Sequence, residues 1–225
     1  MPVGIRIQLN DKLYLRDPQD TKLGRKIIKH GILLLDEIGL ESFNFKKLAL
    51  RIESTEASVY RYFENKHLLL TYLVSWYWEW LLYQIDLQTS HLPDPAEKLK
   101  QVIRIIVESS RANTSIEFID QEVLHRLVVA EGVKAYHTKE VDKENTSGFF
   151  LNYKAMAERV AGFISEINPD FPYPRSLASN MFEMANNQIY FSEHLPRLTD
   201  IRLKKNGLSP VIDLLEYFVF KLIKP

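Results

Sequence analysis

The sequence predicts an all-α protein, and three observations carry that reading. Glycine is scarce, with 8 residues in 225; no run alternates apolar and polar residues over many positions; and long stretches repeat apolar residues at helical spacing. No internal repeat or low-complexity segment interrupts the pattern.

The elements follow in order. Residues 1–20 carry no clear period and read as a flexible N-terminal arm. Thr21 can cap a first helix in which Leu23, Ile27, Leu34 and Ile38 share a face, and Gly39 suits the position just past its end. Asn44 caps a second helix over about 45–52, and Thr55 caps a third over about 56–62. A fourth starts near Lys66 and runs to about 88. Polar and proline-rich breaks at 89–95, 111–115, 137–148, 168–174 and 195–210 then separate helices at about 96–110, 116–135, 148–167, 175–194 and 210–223.

Composition bounds the function classes. The 29 Lys/Arg balance 29 Asp/Glu, so no global charge draws the chain to nucleic acid or a membrane. Residues 1–72 hold 12 basic against 9 acidic groups, and the remainder 17 against 20. Without cysteine there are no disulfides or thiolate metal sites, and the start "MPVGIRIQLN" has no signal-peptide core. These features suit a cytoplasmic location. The greasiest run, "LLLTYLVSWYWEWLLY" at 68–83, contains Glu79 and falls short of the ~20 residues of a membrane span, so a buried helix is expected.

The stretch "TEASVYRYFENK" at 55–66 carries the chemistry. On a helix–turn–helix template Glu53-Ser54 turns the chain. Val59 and Phe63, four apart, pack on Phe45 and Leu48 of the second helix. The outer face then shows Glu56, Ala57, Ser58, Tyr60, Arg61 and Tyr62, a surface sized for a DNA major groove. Hydroxyls of Ser58 and Tyr60 can bond phosphate, Arg61 can reach phosphate or a guanine edge, and Lys66 adds charge at a helix N-terminus. Asn44, Lys46 and Thr55 complete the candidate DNA-binding set.

Residues 25–70 resemble the DNA-binding domain of the TetR family of bacterial transcriptional regulators. "KIIKHGILLLDEIG" is similar to the family's first helix with its terminal glycine, "FNFKKLALRI" to the second, and "STEASVYRYFENKHLLL" to the recognition helix and the start of the fourth. The chain departs at the turn, where the family often has glycine and then an apolar residue against Glu53 and Ser54 here, and at Glu56, where it often has lysine. A carboxylate at Glu56 repels phosphate, yet it can also accept from cytosine N4.

The resemblance implies a helix–turn–helix domain at 21–66 and, at 67–225, a helical domain that binds a small apolar or amphipathic effector and forms a homodimer. It implies release from a palindromic double-stranded operator. In the fourth helix Trp76 and Trp80 share a face with Leu69, Leu73 and Tyr83, while Val74, Trp78 and Leu82 lie opposite, so burial on both sides is expected. Trp76, Trp80, Tyr83, Phe118, Phe149, Tyr153, Met181 and Met184 are the candidate effector contacts, with His125 as a polar anchor. In "SPVIDLLEYFVFKLI" Val211, Leu214, Leu215, Phe218 and Leu222 form the candidate dimerisation stripe, and Ser209 the expected cap.

Enzymatic and metal readings find no support. G-x-S-x-G, G-x-G-x-x-G and P-loop patterns are absent. Glu64–His67 and Glu122–His125 share the E-x-x-H spacing of di-iron bundles, but Glu64 lies in a turn and the remaining carboxylates are not evident, so neither cofactor nor metal is expected. The alternative to a regulator is a helical small-molecule-binding or dimeric interaction protein whose head does not read DNA.

Overall fold

The computed structural model describes residues 7–111, 118–203 and 207–224; among them are ten α-helices and no strand. They are α1 (Lys22–Ser42), α2 (Phe45–Arg51), α3 (Glu56–Tyr60), α4 (Lys66–Thr89), α5 (Pro95–Glu108), α6 (Gln121–Glu131), α7 (Val141–Thr146), α8 (Leu151–Ile167), α9 (Pro174–His194) and α10 (Ser209–Ile223). The all-α reading holds. The described residues form two compact units, one from those up to 80 with those of 111–153, the other from those of 81–110 with those from 154 onward. Compactness therefore groups 111–153 with the helix–turn–helix, and α4 contributes to both units.

In the first unit, Thr21 caps α1 by accepting the Gly24 N–H at 2.9 Å, and Ile27, Ile28, Ile32 and Leu35 form its buried face. At Gly39 the chain passes through φ 69°, ψ 163°, a region open essentially to glycine alone, before one further turn to Ser42. That kink ends the helix proper where the sequence places its stop. α1 packs against α2 and α6, and α2 against α3. Arg126 of α6 bonds Asp36 of α1 at 2.9 Å, an exposed contact that orients more than it stabilises.

Four expectations change. Residues 7–20 are folded, with two 3₁₀ turns, at Asp11–Leu13 and Pro18–Asp20, and with Ile7, Leu9 and Leu13 buried. The Gln19 amide bonds the Ile7 backbone in both directions, and the Leu15 N–H donates to the Tyr62 carbonyl at 2.8 Å. Gly24 lets the Pro18 backbone lie against α1; a Cβ there would meet the Pro18 oxygen at 2.2 Å. Residues 1–6 of the expected arm lie outside the described residues. The break at 137–148 contains α7, whose Asp142 and Glu144 favour the positive end of a helix. α6 covers only 121–131 of the expected 116–135, followed by a 3₁₀ turn at Gly132–Ala135, while 112–117 are not described. α3 ends at Tyr60 instead of 62.

The second unit packs α5, α9 and α10 together. Asp94 caps α5 through the Ala96 N–H at 3.0 Å, with Pro95 in the first turn. Leu99, Val102, Ile103 and Ile106 of α5 share the core with Val160 and Ile164 of α8, Met181 and Phe182 of α9 and Val211 and Leu215 of α10. Ser209 opens α10 as its first helical residue; Leu208 precedes it without a side-chain cap.

Candidate nucleic-acid interface

The helix–turn–helix is built from short helices held by caps. Asn44 Oδ1 accepts the Lys47 N–H at 2.9 Å and starts α2. α2 ends at Arg51 with Ile52 as its C-cap, and Glu53 takes φ 56°, the left-handed region that favours glycine. The Ser54 N–H returns to the Ala49 carbonyl at 2.9 Å and closes the turn. Thr55 Oγ1 then accepts the Ser58 N–H at 3.2 Å and starts α3. Val59 and Phe63 are fully buried, as their spacing requires.

Outside, Thr55, Glu56, Ala57, Tyr60 and Arg61 are exposed and Ser58 is half-buried. Tyr60, 47% exposed, packs its ring edge-on against Phe45 at 5.0 Å, which fixes where its hydroxyl points. Lys46 is exposed at the start of α2. Arg51, at the end of α2, is engaged by Glu37 of α1 at 2.7 Å, which raises its pKa above the ordinary value and lowers that of Glu37.

Two of the ten candidate DNA contacts are placed otherwise. Tyr62 is buried, with its hydroxyl 2.7 Å from Thr21 Oγ1 and Arg16 over its ring, so it braces α1 from inside. Lys66 Nζ donates to the carbonyls of Leu40 at 2.8 Å, Glu41 at 3.3 Å and Phe43 at 3.3 Å. Its three protons serve the chain end that follows Gly39 instead of standing ready for phosphate. Its neighbour His67 bonds Glu144 of α7 through Nε2 at 2.7 Å.

The candidate effector contacts fall in both units. In the first, Trp76 and Trp80 are buried and neither indole N–H has a partner. His125 is buried with Nδ1 2.9 Å from the Tyr77 hydroxyl, a satisfied internal histidine. Glu122 points away to Arg126 at 3.1 Å, so the E-x-x-H pair on α6 faces two directions. Phe149 is buried and its carbonyl accepts from Ser75 Oγ at 3.2 Å; Tyr153 stacks on Trp78 at 4.2 Å; Phe118 is half-buried. Gln121, which sequence reasoning missed, is buried with both amide atoms unpartnered; a glutamine in a first helical turn gives no signal of that. In the second unit Met181 is buried, Met184 half-buried and Tyr83 exposed.

The dimerisation stripe also divides. Val211 and Leu215 are fully buried within the second unit, Leu214 is half-buried, and Phe218 and Leu222 are exposed. The two buried residues belong to the core of one chain and leave the candidate interface. Tyr217, 64% exposed, joins Phe218 and Leu222 on the outer face.

The sequence matches no family model and no curated protein. The fold, however, is shared with solved transcriptional regulators of the TetR family. A TetR-family regulator from Syntrophomonas wolfei superposes with TM-score 0.65 at 16% identity, over 90% of this chain and 96% of that one. The fatty acid degradation regulator FadR from Bacillus halodurans does so with TM-score 0.61 at 14% identity, over 86% and 92%. AibR, solved with isovaleryl coenzyme A and operator DNA, gives TM-score 0.59 at 16% identity, over 89% and 99%. The likeness extends through both units, well beyond residues 25–70, where the sequence carries it.

Proposed function

We propose that this chain is a cytoplasmic, ligand-responsive transcriptional regulator of the TetR family, a homodimer that binds a palindromic operator and leaves it when a small apolar or amphipathic molecule binds. The observation that carries the reading is the outer face of α3, where Glu56, Ala57, Ser58, Tyr60 and Arg61 stand clear of a core closed by Val59 and Phe63. One short, braced helix per subunit is suited to reading half-sites about one helical turn apart or a multiple of that. The outward Phe218, Leu222 and Tyr217 supply the apolar surface for the second copy. No described helix is long and apolar enough to cross a membrane.

Acyl thioesters are the first effector class to screen, because AibR was solved with one and FadR regulates fatty acid degradation. α4 carries Lys66 beside the recognition helix and continues to Thr89 in the other unit, so it is the chain's own route from effector to DNA. A bound effector must favour the DNA-free form by about 1–3 kcal/mol for a typical coupling. Tryptophan fluorescence, with Trp76 and Trp80 on that helix, and DNA release are the paired readouts.

The test of DNA binding is enrichment of sites from random duplexes by the purified protein, followed by a salt titration. A palindrome and an affinity that falls with salt are expected. The acidic Glu53 and Glu56 and the engaged Lys66 favour the alternative, a helical binding protein whose head does not read DNA. Failure to enrich any sequence, together with salt-insensitive retention, selects it.

A further inference from the structure

Three side chains of the α3 segment form a hydrogen-bonded chain that a phosphate-binding role does not use. Arg61 Nη2 donates to Ser58 Oγ at 3.1 Å, and Ser58 Oγ lies 2.8 Å from Thr55 Oγ1. Thr55 Oγ1 is itself fixed, because it accepts the Ser58 backbone N–H as the cap of α3. Ser58 Oγ accepts from Arg61 and shares one proton with Thr55 Oγ1, and either hydroxyl can supply that proton. The guanidinium is therefore tied to the helix cap by one N–H, and four donors remain.

From this we infer that Ser58 is a positioning residue: it holds Arg61 so that its remaining N–H groups present themselves to the O6 and N7 acceptors of a guanine, not to the DNA backbone. The inference rests on the reading of the head as a DNA reader and assigns the specificity of that site. Its physical basis is pre-organisation. A free arginine samples many rotamers and satisfies itself on whichever phosphate it meets first, whereas a guanidinium held by one edge loses less freedom on bidentate pairing. Ser58 Oγ is already bonded to both Arg61 and Thr55, so its role here is to hold the guanidinium. The carboxylate of Glu56, five residues before Arg61, lies outside this chain of bonds.

Ser58→Ala tests this cleanly, because alanine keeps the backbone N–H that Thr55 caps and favours helix more than serine does. The full-length protein, its Ser58→Ala, Ser58→Thr and Arg61→Ala variants are each run through site enrichment and salt titration. Arg61→Ala is expected to erase the guanine preference at one position of each half-site, by roughly fivefold to a hundredfold. Ser58→Ala should lower the preference at that same position by about threefold to tenfold, the scale of one hydrogen bond, with the salt slope unchanged. Ser58→Thr, which keeps the hydroxyl, should restore it. Uniform weakening on all sequences by Ser58→Ala, with base preferences intact, makes Ser58 a structural or phosphate residue and overturns the inference. A salt slope lowered by about one unit in Arg61→Ala, with no change in base preference, puts Arg61 on phosphate and overturns it too. If the wild-type protein enriches no sequence at all, the DNA-reading function itself fails, a result distinct from either of these.

Discussion

Helices α4 and α10 look alike in sequence and differ in the folded chain. Both are apolar on more than one side. In α4 every residue from Leu69 to Trp78 is buried, and the two tryptophan faces are both enclosed. In α10 the buried positions are Val211, Leu215, Val219 and Ile223, a single row at four-residue steps, and Tyr217, Phe218 and Leu222 face outward. Apolar breadth thus marks burial, but it does not tell whether the covering partner comes from the same chain. For α4 it does. For α10 one row is covered internally, and the remainder is the surface proposed for a second copy.

The comparison breaks most readily by truncation. Trp76→Ala should destabilise by about 3–5 kcal/mol and Leu215→Ala by about 2–5 kcal/mol in urea unfolding. Leu222→Ala, at a residue 58% exposed, should cost under about 1 kcal/mol in dilute protein. Equal losses at Leu215 and Leu222 would mean that α10 is enclosed like α4. The second test adds charge to the outer row: Phe218→Asp with Leu222→Asp should convert the proposed dimer to monomer, weakening association by about 2 kcal/mol or more by light scattering, with helix content unchanged.

A smaller effect is expected at the turn. Glu53 holds φ 56°, so Glu53→Gly should stabilise by about 1 kcal/mol in thermal melts, because glycine accepts that conformation without a Cβ clash. The smallest concerns Glu183 on α9, the helix that packs on α10. Burial pushes its carboxyl above the ordinary 4.5. A raised acid pKa means the folded state binds the proton more readily, so Glu183 penalises folding once the pH passes 4.5, and stability falls through the raised value. Glu183→Gln should therefore raise Tm by about 1–2 °C at pH 7 and leave it unchanged well below pH 4.5. If the proposed dimer covers α9 further, that gain grows with protein concentration.

Most of the fold was legible because its signals are local and periodic. Thr21, Asn44 and Thr55 cap the helices assigned to them, and the doubled apolar pattern of α4 specified its enclosure. What escaped has no period to read. Leu9 is buried just before a three-residue 3₁₀ turn and Leu13 at the end of it, and α7 is six residues long. Tyr62 was assigned outward by continuing α3 at α-helical spacing, but the Tyr62 N–H bonds the Val59 carbonyl three residues back, and this tighter turn rotates the ring inward. The assignment of Lys66 to phosphate rests on its charge and its place at a helix N-terminus. Its partners are carbonyls 23 to 26 residues upstream, which nothing near it in sequence announces. The candidate contacts on the outer face were legible by type, whereas the bond from Arg61 to Ser58 depends on rotamers that spacing does not specify.

Lys66 gives the head one more property. By gripping the carbonyls of Leu40, Glu41 and Phe43, a single ammonium closes a loop whose mouth lies outside α2 and α3 and whose contents are those two helices. The entropy of drawing the ends together is borne at the clasp and grows only slowly with the length enclosed. Residues 44–65 are in that sense a cassette. Their outward side chains can drift, and with them whatever the proposed DNA-reading face prefers, while the frame that presents them stays shut.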